Sequence, residues 1–314
     1  MTRTRGLVAG LAVCCSAAAA MAMAGQPAGE PPGPEITVTL LGTAPGPPVR
    51  AGRIGISTLV EAGGQRFLFD AGYGALRGLV ESGRSMDAVR RVFLTHLHSD
   101  HVVELPALLL LPRPVPSRDH EGLSVWGPAG TRDMMRDLQQ AFSYDIQVRR
   151  EDGTAPAGGI TVAVHEVTEG VVYDEGGVKI TAFLVDHGPV KPAYGYRVDH
   201  AGRSVVLSGD TRPSDNLIAI GKGTDLLIHE AVNTDALRKL VPPQVFESIV
   251  ALHTTADQAA DVFRRVEPRL AVFSHAEGGS ALVDQVRRTY TGPVEAGEDL
   301  MVIEIGDNVA VKRR

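Results

Sequence analysis

Thiols are almost missing from this 314-residue chain: its two cysteines, Cys14 and Cys15, stand side by side near the N-terminus. Both fall within MTRTRGLVAGLAVCCSAAAAMAMA, which combines two arginines, an apolar run and a small-residue exit at residues 22–24. That is the pattern of a secretory leader removed by cleavage. A retained anchor fits less well, because residues 6–24 are rich in alanine and barely long enough to span a bilayer. Lipidation would need a small residue before Cys14, where Val13 stands. Cleavage would leave a mature chain without a thiol in a secreted or periplasmic setting that permits disulfides. Any metal site must then use nitrogen and oxygen donors. No second long apolar run follows, so stable membrane insertion is not expected. Positive charge is scarce too: loss of residues 1–24 removes Arg3 and Arg5 and no acid, which takes the net charge from −6 to −8. Such a surface does not attract polyanions in bulk, which counts against a nucleic-acid partner. Heptads, low-complexity tracts and internal repeats are absent.

What is present begins with GQPAGEPPGP, residues 25–34, a Pro/Gly-rich tether. Residues 35–314 suffice for one domain. Short β-type runs dominate its first part, EITVTLLG, GISTLVEA, QRFLFDAG and RVFLTH, with a hairpin signal at Gly63-Gly64. Helical periodicity predicts helices over 131–144 and 255–266, the second opened by Thr255 and Gln258 at capping-box spacing. Further strands are expected in GVKITAFLVDH, AYGYRVDHAGRSVVLSGD, DLLIHEA, LAVFSHA and LMVIEIG. Strands and helices that mix in this way, with meanders, predict an α/β sandwich of two mixed sheets.

Three of the ten histidines crowd into six positions in FLTHLHSDH, directly after an apolar run. Other apolar runs end in similar residues: His187, Asp210, His229-Glu230 and His275. Strand ends along one rim of a sandwich can converge on a point. A tight loop after a strand can aim His96 and His98 one way and Asp100 and His101 another, serving two adjacent cations. Imidazole and carboxylate donors suit zinc, with an open position left for water. Paired cations lower the pKa of a water between them and polarise the bond to be cut, so hydrolysis is the chemistry expected.

These segments resemble the metallo-β-lactamase fold hydrolases, and within them the ribonuclease Z and arylsulfatase-like branch. The resemblance runs from LLGTAPGPP through FLFDAG, FLTHLHSDH, VDHGPVKPAYGYRV, VVLSGDTR, LLIHEA and ALHTTADQAA to VFSHAEGG. It implies an αββα sandwich with the site at one edge of the sheets. His96, His98 and His187 would hold one Zn2+, Asp100, His101 and His275 a second, with Asp210 bridging; Mn2+ and Fe2+ are alternatives. Asp100, His253 and Glu230 would be catalytic, Glu230 supporting His253 as proton donor to the leaving group, and Asp70 would orient a ligand histidine. The branch implies cleavage of a phosphodiester or, next, a sulfate ester in a small molecule; a β-lactamase-type amide hydrolase and a noncatalytic metal-binding module are the competing readings. Bacterial ribonuclease Z enzymes carry a long arm for transfer RNA between the segments matching GYRV and VVLSGDTR, where only DHAGRS stands here, so transfer RNA is not the expected partner. Ala44 departs from the usual glycine of the first loop. Arg212 and Lys191 are candidates to meet an anionic substrate. A homodimer is common among relatives.

Overall fold

Alternating side chains divide each strand between two environments, and that division builds four layers. A computed structural model describes residues 33–111, 122–154 and 160–314. The leader, both cysteines and the tether through residue 32 lie outside the described residues, as do residues 112–116 of LPALLLLPRPVP. The first sheet contains β1 (Ile36–Gly42), β2 (Ser57–Ala62), β3 (Gln65–Phe69), β4 (Arg91–Phe93), β5 (Leu123–Gly127), β6 (Val162–Glu166), β14 (Met301–Ile305) and β15 (Val309–Lys312), in the order β15-β14-β1-β2-β3-β4-β5-β6. The second contains β7 (Gly170–Glu175), β8 (Val178–Leu184), β9 (Tyr194–His200), β10 (Arg203–Leu207), β11 (Leu226–Ala231), β12 (Leu270–Ala276) and β13 (Val294–Ala296), in the order β13-β12-β11-β10-β9-β8-β7. Both sheets mix parallel and antiparallel pairs.

Ile36, Val38, Leu40, Phe67, Phe69 and Phe93 of the first sheet meet Ile180, Tyr196, Val198, Leu226, Ile228 and Val272 of the second in one buried core. The residues between them point outward. Leu41, Leu68 and Val92 pack under α1 (Ala75–Glu81), α2 (Ser99–Val102), α3 (Leu105–Leu110), α4 (Thr131–Ala141) and α5 (Ser143–Glu151). Val206, Leu227, Ala271 and Phe273 pack under α6 (Asp215–Gly221), α9 (Ala256–Val266) and α10 (Gly279–Val286). Two short helices, α7 (Thr234–Leu240) and α8 (Pro243–Val250), stand apart: α7 buries no residue and α8 buries Phe246 alone. This is the αββα sandwich expected. Among the described residues no helix is long and apolar enough to cross a membrane.

Local signals behave as their chemistry dictates, with one exception. Gly63 and Gly64 take φ of 56° and 71°, and Ala62 pairs with Gln65, so the two glycines supply the left-handed turn of the β2–β3 hairpin. Thr255 and Gln258 form the capping box that opens α9. The single helix expected over 131–144 is instead two, because Phe142 leaves helical geometry (φ −100°, ψ 16°) and α5 restarts at Ser143. His200 and Arg203 are paired across a tight hairpin, so DHAGRS forms a turn and no arm.

Candidate metal centre

The candidate residues sit where strands run out. Strands β3 and β4 run parallel in the first sheet, and β8, β10, β11 and β12 share one direction in the second. Their C-terminal ends carry Asp70, His96, His187, Asp210, Glu230 and His275. The segment before His96 is fastened by both sheets. Leu94 N donates to the Trp126 carbonyl at 2.8 Å, Tyr194 N to the Thr95 carbonyl at 2.9 Å, and the buried Tyr196 hydroxyl to the Leu94 carbonyl at 2.8 Å. Gly209 is needed before Asp210: its φ is 59°, and a Cβ there would lie 2.7 Å from the Tyr194 carbonyl oxygen. Asp70 and His275 are non-glycine residues at φ 57° and 53°, a strained backbone of the kind that concentrates at working sites. His98 is extended and Asp100 and His101 lie in the helical turn that follows, which sends the two halves of the motif to different sides.

The side chains gather into two adjoining groups: His96, His98, His187 and Asp210, and Asp100, His101 and His275, with donor atoms within 4.8 Å of one another in each. Asp210 faces both. Its Oδ2 lies 3.9 Å from Nε2 of His96 and of His187, and its Oδ1 lies 3.5 Å from His101 Nε2 and 3.4 Å from His275 Nδ1. His275 Nε2 is 3.2 Å from Asp100 Oδ2 and His187 Nε2 is 3.4 Å from His98 Nδ1. Several of these separations are too long for hydrogen bonds. They are close to the roughly 3.3 Å between donors set tetrahedrally about a cation some 2.0–2.1 Å from each.

A second set of contacts decides which nitrogen faces the centre. His101 Nδ1 donates to Asp70 Oδ2 at 2.8 Å, and His187 Nδ1 donates to the Leu252 carbonyl at 3.1 Å. Thr95 Oγ1 donates to Asp70 at 2.9 Å, which leaves it to accept from His96 Nδ1 at 3.0 Å. With Nδ1 occupied, the Nε2 lone pairs of His96, His101 and His187 point inward. Nε2 of His96, Nε2 of His101 and Oδ1 of Asp210 are buried without a hydrogen-bond partner. Orphaned buried polar atoms of this kind cost free energy unless something fills the space between them. Nitrogen and carboxylate oxygen donors, inward lone pairs and anchored second nitrogens all fit divalent transition-metal ions.

Burial opposes charge on His101, but Asp210 and Asp70 outweigh it and hold that ring well above the ordinary imidazole range, so positive charge is favoured at its Nε2, which a proton or a metal ion can supply. Burial and the neighbouring His101 charge push His96 well below the ordinary imidazole range, which favours the neutral, ligating form. Burial would raise Asp210, but His275 and His101 beside it outweigh that and hold its carboxyl well below the usual range.

Beside the two groups stands His253, whose Nδ1 lies 3.4 Å from Glu230 Oε2. Glu230 is buried, and its Oε1 accepts from Thr211 N at 3.2 Å and Thr254 N at 3.0 Å, so the carboxylate is fixed. Burial lowers the His253 pKa, but the charge and hydrogen bond of Glu230 win and bring it to about 9. The His253 ring packs edge-on against His187 with centroids 5.1 Å apart. The Arg212 guanidinium, half-exposed, pairs with Asp186 at 2.5 Å. Lys191 likewise faces the Asp186 charge.

Three features of the site escaped the sequence reading. Thr95 links Asp70 to His96. Asp299 fastens the first loop by accepting from Thr43 N, Thr43 Oγ1 and Ile54 N at 2.7–2.9 Å. A cavity of about 380 Å³ opens from His253, Glu230 and His275 between the Pro45–Pro48 loop and α7–α8. The residue pattern carries a signal only for the first, a hydroxyl beside the leading histidine.

A family described as the Beta-lactamase superfamily domain matches residues 65–276. A ribonuclease Z of Mycobacterium sp. (strain KMS) is 39% identical over 289 residues, covering 88% of this chain and 99% of that protein. Among solved structures, the metallo-beta-lactamase fold protein YhfI from Bacillus subtilis aligns with a TM-score of 0.67 at 18% identity, covering 85% of this chain and 98% of its own. The short form of human tRNase Z aligns with a TM-score of 0.63 at 24% identity, covering 86% and 99%.

Proposed function

This chain belongs to the beta-lactamase superfamily and, within it, to the ribonuclease Z relatives, which makes it a metal-dependent ester hydrolase; from that premise we propose an exported enzyme that binds two zinc ions and cleaves a phosphodiester, with sulfate esters as the next substrate class. The observation that carries the proposal is Asp210, with one oxygen toward each group of donors. His96, His98 and His187 would hold one ion and Asp100, His101 and His275 the other. When bound, the ions would supply Lewis-acid polarisation of the ester and a lowered pKa for the attacking water.

The chain's own residues do the rest. Asp70 and Thr95 fix the ring planes of His101 and His96. Glu230 keeps His253 protonated, so that a proton is available at its ring for the departing oxygen. That oxygen otherwise leaves as a poor alkoxide or phenoxide, and a positioned acid of this kind is typically worth 10²–10⁴ in rate.

A second reading, cleavage of RNA, is favoured by the name of the mycobacterial relatives. The missing arm does not separate this chain from them, because an alignment of 289 residues over 88% of this chain leaves no room in those relatives for a long insertion. The small-ester reading draws instead on the acidic charge and on the leader. Metal analysis, followed by assay against bis(p-nitrophenyl) phosphate, p-nitrophenyl sulfate and a precursor transfer RNA, tests these readings. Turnover of the first substrate well above the RNA supports the proposal; efficient maturation of the RNA alone would replace it. N-terminal sequencing of the protein from an extracytoplasmic fraction tests export, with a mature start near Gly25 expected.

A further inference from the structure

The cavity beside His253 is built unlike the metal centre that it joins. Pro47, Pro48, Leu237, Leu240, Val241 and Ile249 supply its apolar walls, while His253, His275 and Glu230 form the end shared with the reacting groups. The other charged side chains that line it, Arg50 and Glu277, face each other at 3.2 Å and cancel. Apart from His253, itself paired with Glu230, no lining cation is therefore left over to receive a second phosphate or sulfate. Helix α7 buries none of its residues, and Leu240 is 63% exposed, an apolar surface that has nothing over it within the described chain. Its volume, about 380 Å³, lies at the small end of the range for small-molecule sites and exceeds what one aromatic ring needs.

Position gives the cavity its role. A group seated there is next to His253, the proton donor, so it is the leaving group and not the part of the ester retained on the far side. We infer that α7–α8 and the Pro45–Pro48 loop form a leaving-group pocket selecting an uncharged aryl or branched-alkyl alcohol over a charged or very small one. Leu237, Leu240 and Ile249 are the residues that set this preference. The inference rests on the hydrolase reading and adds to it the class of alcohol released.

The test is titration of the zinc-loaded protein with phenylphosphonate and methylphosphonate, two anions of equal charge that differ in the apolar group. Burial of the ring against the leucine and isoleucine side chains should favour phenylphosphonate by about tenfold or more. In Leu240→Asn/Ile249→Asn, shown to be folded by circular dichroism, that ratio should fall to about twofold. The outward Lys239→Asn control should keep it. Equal affinities in the wild type, or a preference that survives the double variant, would overturn the inference. Turnover of bis(p-nitrophenyl) phosphate measured in parallel separates the two levels: turnover without a phenyl preference removes the pocket's role and leaves the hydrolase standing, whereas loss of both turnover and phosphonate binding removes both.

Discussion

The floor of the site and its wall are held in opposite ways. On the floor, His96, His187, Asp210 and His275 lie at the ends of strands whose interiors are buried, His98, Asp100 and His101 follow in the turn after β4, and His96, His101 and His187 each have a second ring nitrogen engaged by Thr95, Asp70 or the Leu252 carbonyl. On the wall, α7 and α8 contribute apolar side chains that touch little, with Phe246 their one buried residue. Chemistry that depends on donor positions within a few tenths of an ångström needs the first kind of support. Selection among alcohols needs only a shaped apolar surface, and a loosely packed helix pair can provide it.

The contrast can be broken most severely at the floor. Asp210→Ala removes the oxygens shared by both groups, and metal content and activity should fall together, the rate by more than about 10³-fold. Elemental analysis beside the assay checks this. His253→Ala should lower the rate by about 10²–10⁴-fold with metal content near the wild-type level, because the ring lies outside both donor groups. Metal loss equal to that of Asp210→Ala would show that His253 has another role. Asp70→Asn acts one contact further out, by weakening the orientation of His101, and should cost roughly 10–100-fold in metal affinity, measured by competition with a chelator.

How far these differences could be read from the residues follows the same division. The strand-end histidines and aspartates were legible because dense donors after apolar runs have few other uses, and the resemblance ordered them into two groups. The four layers were legible too, since β1, β3 and β11 alternate cleanly between core faces. Strands β5, β6, β7, β13 and β15 went unrecognised: β6 and β15 alternate only between half-buried and exposed positions, and β13 spans three residues. Asp299 stayed invisible because its partners lie 245 and 256 residues away in sequence. The wall was missed for a physical reason: α7 and α8 have no buried periodic face, and Pro242-Pro243 between them reads as a loop.

Smaller effects sharpen the comparison, one on the wall itself and one remote from both regions. Leu240→Ala, on the exposed wall, should change folding stability by no more than about 0.5 kcal/mol in denaturant titration, despite the size of the side chain removed. Glu61 lies on β2 and pairs with Arg66 at 2.9 Å and with Arg84. Burial raises its pKa, but hydrogen bonds from Arg84 and Arg66 outweigh that and lower it. A carboxyl whose folded pKa is depressed stabilises the protein above its unfolded pKa and ceases to do so as pH falls through the folded value. Glu61→Gln should therefore cost stability at pH 7, by less than about 1 kcal/mol since solvent screens the partly exposed pair, and the deficit should vanish at strongly acid pH. Both are measured by urea unfolding.

The most direct measurement is an anomalous difference map at the zinc edge from crystals grown with the metal. Two peaks are expected, one among His96, His98, His187 and Asp210 and the other among Asp100, His101, His275 and the same aspartate. A map with no peak there, or with zinc elsewhere on the surface, would contradict the assignment of these side chains to a metal centre.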